Sequence, residues 1–354
     1  MGKIRFPRLV RVLDLVFGHS FLKLIACLFS VSVMVSCIDE DNYENTPEGN
    51  LEALWQIIDT RYCFLDYKAE SYGLDWNEVK GRYMACLTPN MTSAQLFEVL
   101  CNMLAELRDG HVNLYTAADV GRYWSWQEDF PANFNDSVHR LYLGTDYKIA
   151  SGLKYKILDD NIGYIYYESF SDALGDGNLD EVFYYLRSCT GLILDVRNNG
   201  GGQLTYASML ASRFTNEKRL VGYIAHKTGS GHSDFSDPEP EYVEPSQGIR
   251  WQKKVVVLTN RACYSSTNTF VRNVKGMPRV TVMGDRTGGG SGMPYTSELP
   301  NGWLVRFSAC PMYDAQMQQI EFGIEPDVLV NMDLADIEKN KDTLIEQARS
   351  FLKK

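Results

Sequence analysis

The chain has 354 residues, room for one catalytic core with a smaller unit attached. Apolar residues make up 45%, charged residues 23% and aromatics 12%, a globular balance that excludes a disordered, collagen-like or disulfide-scaffold protein; no internal repeat points to a solenoid or propeller. Net charge is −10, and lysine and arginine form no stripe beyond the first 25 residues, which argues against a nucleic-acid partner, because neutralising phosphates needs clustered cations.

Residues 1–36 read as an address. Lys3, Arg5, Arg8, Arg11 and Lys23 against Asp14 give this leader a charge of +4. Residues 24–35 then run without a charge to Ser36 and Cys37. That run is too short for a bilayer-spanning helix of ~20 residues but suits a signal-peptide core, with an uncleaved anchor as the alternative. Met34-Val35-Ser36-Cys37 resembles the bacterial lipobox, which makes Cys37 the expected lipidation site and a membrane the expected partner through that lipid. The acidic tether at 37–49 resembles the export signal of Bacteroidetes surface lipoproteins, so an outer-membrane, surface-facing location is expected. Loss of the leader shifts the net charge to −14. The acyl chains would contribute ~0.8 kcal/mol per buried CH₂, leaving the protein tethered and not embedded.

Residues 50–109 are patterned as a small helical unit, with Leu51, Leu54, Trp55, Ile58 and Tyr62 recurring at helical spacing. Thr92-Ser93 marks a helix start, followed by an apolar face of Leu96, Leu100, Met103, Leu104 and Leu107. Residues 110–354 form the expected catalytic domain. Strands are predicted at 153–158, 162–167, 191–197, 254–259 and 279–283, and helices at 180–187, 205–214, 265–274 and 334–352. Residues 229–248, rich in Ser, Pro and acid, read as a surface insertion. Short apolar strands alternating with helices imply an α/β fold whose mostly parallel sheet is covered on both faces.

Two segments carry chemistry. In Val255–Phe270 a buried strand runs into a turn and then a helix that starts at Ser265-Ser266. A hydroxyl there stands at the carboxyl edge of the sheet, beside free helix N–H groups that can bind an oxyanion. The two serines can equally be plain N-caps. The run from Gly191 to Gly202 ends in three glycines, which let the backbone approach a substrate closely; it lacks the spacing of a dinucleotide loop and the lysine of a P-loop.

Leu-Asp195-Val-Arg197-Asn-Asn-Gly-Gly-Gly, together with the runs 260–270, 282–292 and 321–328, strongly resembles the tricorn and C-terminal-processing peptidases, a serine peptidase family. The resemblance spans about residues 108–330 and implies a Clp-protease/crotonase-like core sheet with covering helices. It further implies Ser265 as nucleophile and the N–H groups of Gly201 and Ser266 as oxyanion hole. The C-terminal-processing branch uses a lysine base, but the matching position here is Gly290, and 111–153 is too short for that branch's PDZ domain. Lys253, Lys254 and Lys275 match no motif. The tricorn-like branch instead implies a His base, which maps to His111, and an orienting acid, which maps to Glu321, with Glu325 and Asp327 close by in sequence. A serine hydroxyl needs such a base, and an imidazole with a pKa near ~6.5 can take and return its proton. His111 can alternatively cap the preceding helix.

Of the eight cysteines, six lie beyond Cys37 and show no zinc-ligand spacing, so neither a metal nor another cofactor is expected. His226 and His232 with Asp234, Asp237 and Glu239 read as solvated loop before they read as a metal site. His139 is placed on a helix, and Trp124 and Trp126 either stack on a ligand or pack. The expectation is a lipid-anchored serine endopeptidase acting on peptides or unfolded proteins. An inactive peptide-binding module and a crotonase-like acyl-CoA enzyme are the alternatives, the latter disfavoured by export.

Overall fold

The computed structural model describes residues 43–354; the leader, Cys37 and the tether as far as residue 42 lie outside the described residues. Thr46 accepts a hydrogen bond from Gly49 N–H and caps α1 (Pro47–Arg61), so the chain turns helical before the expected end of the tether. Helix α2 (Leu65–Tyr72) stops at Gly73, whose φ of 74° suits glycine, and α3 (Trp76–Met84) starts on the Asp75 cap. Helix α4 (Ser93–Ala105) begins where Thr92-Ser93 predicted, with a reciprocal Thr92–Gln95 capping box. Its Leu96, Leu100, Met103 and Leu104 are buried, as are Leu51, Leu54 and Ile58 of α1. The four helices and all that follows, residues 44–354, cluster as one compact unit.

Strands β1 (Asn113–Tyr115) and β2 (Val120–Gly121) form a hairpin, followed by α5 (Ser125–Glu128) and α6 (Asp136–Leu143). His139 lies on α6 as expected, buried against Phe134 and Tyr166. Next come β3 (Lys148–Ala150), β4 (Leu153–Ile157), β5 (Ile162–Tyr167), α7 (Asp176–Leu186), β6 (Gly191–Asp195) and α8 (Leu204–Ala211). The chain continues through β7 (Arg219–Ile224), β8 (Glu239–Val243), β9 (Val255–Thr259), α9 (Ser266–Val274) and β10 (Val280–Gly284). It closes with β11 (Pro294–Glu298), β12 (Leu304–Ser308), β13 (Met312–Asp314), β14 (Val328–Leu329), α10 (Leu334–Glu338) and α11 (Thr343–Leu352).

The main sheet has seven strands in the order β14-β10-β9-β6-β5-β4-β3, parallel from β14 to β5 and antiparallel at β4 and β3. Every residue of β5, β6 and β9 is buried, because apolar clusters cover both faces of the sheet. One face carries α7, α8 and α9; the other carries α11 with residues of α6. A four-stranded sheet, β11-β12-β1-β2, and a three-stranded one, β13-β7-β8, complete the fold.

Three expectations need correction. The 229–248 segment is not all surface insertion, since β8 pairs with β7. The helix expected at 180–187 begins at Asp176, where the Asn178 side chain accepts from Gly175 N–H. The helix expected at 334–352 is two helices, interrupted where Asn340 adopts a φ of 58°.

The motif residues Asp195 and Arg197 serve the scaffold. Arg197 is fully buried; Nη2 meets Asp195 Oδ2 at 2.6 Å, Nε meets Oδ1 at 2.9 Å, and Nη1 reaches Asp342 at 3.0 Å and the Asn133 carbonyl at 3.2 Å. Burial alone would raise the Asp195 pKa, but the guanidinium holds it below the usual range. This ties the end of β6 to the start of α11. Arg197→Ala strands two buried carboxylates and should cost about 3–5 kcal/mol, read as a lowered urea midpoint.

Candidate active site

Strand β9 ends in a turn that the neighbouring chain determines. Asn198 N–H donates to Asn260 Oδ1 (3.0 Å), Asn260 Nδ2 donates to Asn198 Oδ1 (2.7 Å), and Tyr264 N–H donates to the Asn199 carbonyl (3.1 Å). Ser265 N–H donates to the Gly289 carbonyl at 2.9 Å. Between these anchors Ser265 takes φ 57°, ψ −122°, a conformation costing a non-glycine residue about 1–3 kcal/mol. Its hydroxyl makes no cap bond to α9. Instead it lies 3.0 Å from His111 Nε2, across 154 residues of sequence. Ser266 is the structural serine: its buried hydroxyl donates to the Gly202 carbonyl at 2.6 Å.

His111 follows α4 on a turn held by Asp109, whose Oδ1 accepts the His111 backbone N–H at 2.7 Å. The imidazole is 5% exposed and meets the Tyr264 ring edge-on at 5.0 Å. Burial pulls its pKa down to about 4; Asp109 opposes the shift and Arg306 adds to it. The ring is therefore neutral at neutral pH. For Ser265 to donate to Nε2 the ring proton must sit on Nδ1, which is buried without a hydrogen-bond partner among the described residues.

Glu321 does not orient His111, contrary to the sequence expectation. Its carboxylate takes Lys68 Nζ at 3.3 Å and Ser291 at 3.0 Å (N–H) and 3.4 Å (Oγ). The cause is its backbone: the Glu321 carbonyl accepts from Gly290 N–H at 3.0 Å, which seats the side chain over Ser291. Burial and Asp109 push the Glu321 carboxyl well above its ordinary pKa, with Lys68 opposing. The carboxylate nearest the imidazole in the chain is Asp109, held by Tyr62 OH (2.9 Å), Ser308 Oγ (3.1 Å) and Tyr264 OH (3.3 Å). Glu325 and Asp327 are spent on Arg286 and Lys275.

The expected oxyanion donors divide. Ser266 N–H, first in α9, has no intrahelical partner. Gly201 N–H is already given to Asn199 Oδ1 at 3.0 Å, so it is not the free amide anticipated. The flanking Gly200 and Gly202 line the same cavity of about 900 Å³ as Ser265 and His111. Gly201 itself must be glycine, with φ 101° and a virtual Cβ only 2.8 Å from Ser265 Cβ.

Gly290 explains the missing lysine. At φ 73°, a Cβ there would stand 2.2 Å from the Tyr264 ring, so that ring occupies the space a side chain would need. Trp126 stacks on Tyr264 at 4.0 Å, a packing role, while Trp124 is partly exposed in the cavity wall. His232 bonds Asp59 and Asp66, and His226 lies near Cys310, while no group of three or more metal-ligating side chains occurs among the described residues. Lys253 bonds backbone carbonyls, and the six described cysteines are unpaired. Lys68, Asp109 and Asn199 were missed; only the complete burial of a lysine distinguishes Lys68, and burial is invisible in one sequence.

Glycine turns at strand ends thus bring a strained serine beside a buried imidazole on an α/β core. The peptidase family S41 model matches residues 161–330 and the tricorn protease C1 domain model matches 43–105. The chain belongs to the tricorn and C-terminal-processing (S41) family of serine-type peptidases. A crystal structure described as "a putative peptidase" from Parabacteroides merdae is 52% identical, covers 87% of this chain and 97% of that one, and superposes with a TM-score of 0.84. Mature CPAF shares the fold at 12% identity, with a TM-score of 0.68 over 87% of this chain and 96% of that one. The carboxy-terminal processing protease CtpA of Bacillus subtilis is 24% identical over 172 residues, 48% of this chain. The chain spans only 35% of that relative's length.

A titration reads the His111 environment directly. In NMR spectra assigned with a His111→Asn variant, the imidazole should stay neutral until about pH 4, and Arg306→Gln should raise that midpoint. Because the unfolded ring binds its proton near ~6.5, this group should erode stability as pH falls from there toward the folded value.

Proposed function

We propose that this chain is a serine endopeptidase that hydrolyses peptides or unfolded proteins, with Ser265 as nucleophile and His111 as base. The observation that carries the reading is the 3.0 Å approach of His111 Nε2 to a strained serine hydroxyl that caps nothing. A neutral imidazole in a dry pocket can accept the Ser265 proton as the oxygen attacks the scissile carbonyl, and then pass it to the leaving amine. The imidazolium formed in between is offset by the adjacent Asp109. Ser266 N–H, with an amide from the flanking glycines, would bind the tetrahedral oxyanion. The exposed strand β11, at a sheet edge and starting at the cavity wall with Pro294, offers pairing to an extended peptide.

The inactive peptide-binding alternative loses its main motive. The absent lysine is accounted for by Tyr264, and an imidazole stands against the serine in its place. The proposal includes a lipid anchor on Cys37 that tethers the enzyme to the outer membrane of a bacterial envelope, supported by the lipobox-like sequence and the acidic tether.

Ser265→Ala should retain the fold by circular dichroism yet lose casein hydrolysis and labelling by a serine-directed phosphonate. If Ser265→Ala hydrolyses casein normally, the assignment fails. Cys37→Ala expressed with the full leader should move the protein from the membrane fraction to the soluble one; unchanged membrane association would refute the anchor.

A further inference from the structure

The cavity around Ser265 has an unusual charge. The chain carries 45 acidic and 35 basic residues, yet none of the described residues lining this cavity is Asp or Glu. Two arginines line it, Arg122 and Arg306. Arg306 lies on β12, with Asn113 of β1 as its strand neighbour, two residues past His111. The residue is half-buried, and its guanidinium makes no hydrogen bond, ion pair or ring contact among the described residues. Arg122 is exposed, and its guanidinium lies 5.7 Å from the Trp124 ring centroid without an acidic partner.

A partly desolvated guanidinium left unpaired is costly, because it gives up water for nothing. The buried arginines among the described residues all have partners: Arg197 binds two aspartates, Arg213 binds Asp176 and Asp180, Arg272 binds Glu241, and Arg261 donates to backbone carbonyls. Arg306 departs from that habit at the one place where a substrate must sit.

We propose that Arg306, assisted by Arg122, selects substrates that present an acidic side chain beside the bond to be cleaved. This rests on the peptidase reading and names its substrate class. A carboxylate fits the planar fork of a guanidinium through two parallel N–H···O bonds. Its source is an acidic side chain flanking the cleaved bond. A bound anion would also offset the depressing effect of Arg306 on the His111 imidazole, strengthening the base only when the right substrate is present.

The test uses quenched fluorescent peptides and the purified protein. One set exchanges Glu and Asp for Gln and Asn at the positions flanking the cleaved bond; the other exchanges a free C-terminal carboxylate for an amide. In the first set kcat/KM should favour the acidic peptide by about tenfold or more, chiefly through KM, while the second set controls for the terminal carboxylate. Added salt should shrink the preference. Arg306→Gln should bring the anionic peptide down to its neutral counterpart, Arg306→Lys should restore part of the preference, and Arg306→Glu should turn it toward lysine-bearing peptides. Arg122→Gln, at an exposed position, should reduce the preference and provides a second variant should Arg306 changes impair folding.

Equal kcat/KM within the first set, or a preference that survives both glutamine variants, overturns the proposal. Binding of the same peptides to Ser265→Ala, followed by fluorescence anisotropy, reads selection without turnover. Absence of cleavage with intact carboxylate-dependent binding would therefore sink the peptidase reading alone, while binding blind to the carboxylate would sink this one.

Discussion

The site depends on one buried amide. Asn199 Oδ1 receives Phe170 N–H (3.2 Å), Gly201 N–H (3.0 Å) and the Thr267 hydroxyl (2.7 Å), while Nδ2 donates to the Tyr167 carbonyl (2.9 Å). Its own carbonyl accepts Tyr264 N–H. A single side chain thus joins the end of β5, the glycine turn after β6 and the start of α9. Those elements meet at the carboxyl edge of a parallel sheet, where adjacent loops converge. Only with that junction satisfied can Ser265 be held at a backbone conformation it would leave if free. An aspartate of similar shape would offer no donor to Tyr167 and would bury a charge, so the amide chemistry is needed as well as the shape.

Behind the imidazole lies a second constraint, a dry cluster of Asp109, Glu321 and Lys68. Two carboxyls and one ammonium share this space with the hydroxyls of Tyr62, Tyr264 and Ser308, and Phe322 lies 5.0 Å from the ammonium. Such a cluster is costly to desolvate, and packed apolar residues would stabilise the fold at least as well. What it provides is polarity in a place that water does not reach. Burial keeps His111 uncharged at rest, while Asp109 stays close enough to favour its protonated form.

The sheet was legible in the sequence because β5, β6, β9 and β10 are short apolar runs ended by glycine or polar turns, and burial on both faces leaves few other readings. The meeting of strand, turn and helix at Ser265 was legible for the same reason. The four-stranded sheet escaped notice, since β1 and β2 are three and two residues long and show no alternation to detect. Lys68 and Glu321 are separated by 253 residues, and nothing local in either segment declares the pair. The family resemblance makes Gly201 a donor; that a neighbouring amide would already engage its N–H follows from the rotamer of Asn199, which a sequence does not specify.

The packing of Tyr264 against Gly290 bears on how such enzymes can change. A chain that sets an imidazole against its serine and fills the space beside Gly290 with the Tyr264 ring has closed the route to an amine base by one substitution. Lysine at 290 would collide with the ring, and shrinking the ring first would uncover Asp109 and unseat Trp126 before any new base existed. An amine at 290 and a ring at 264 exclude one another, so the two positions can only be exchanged together.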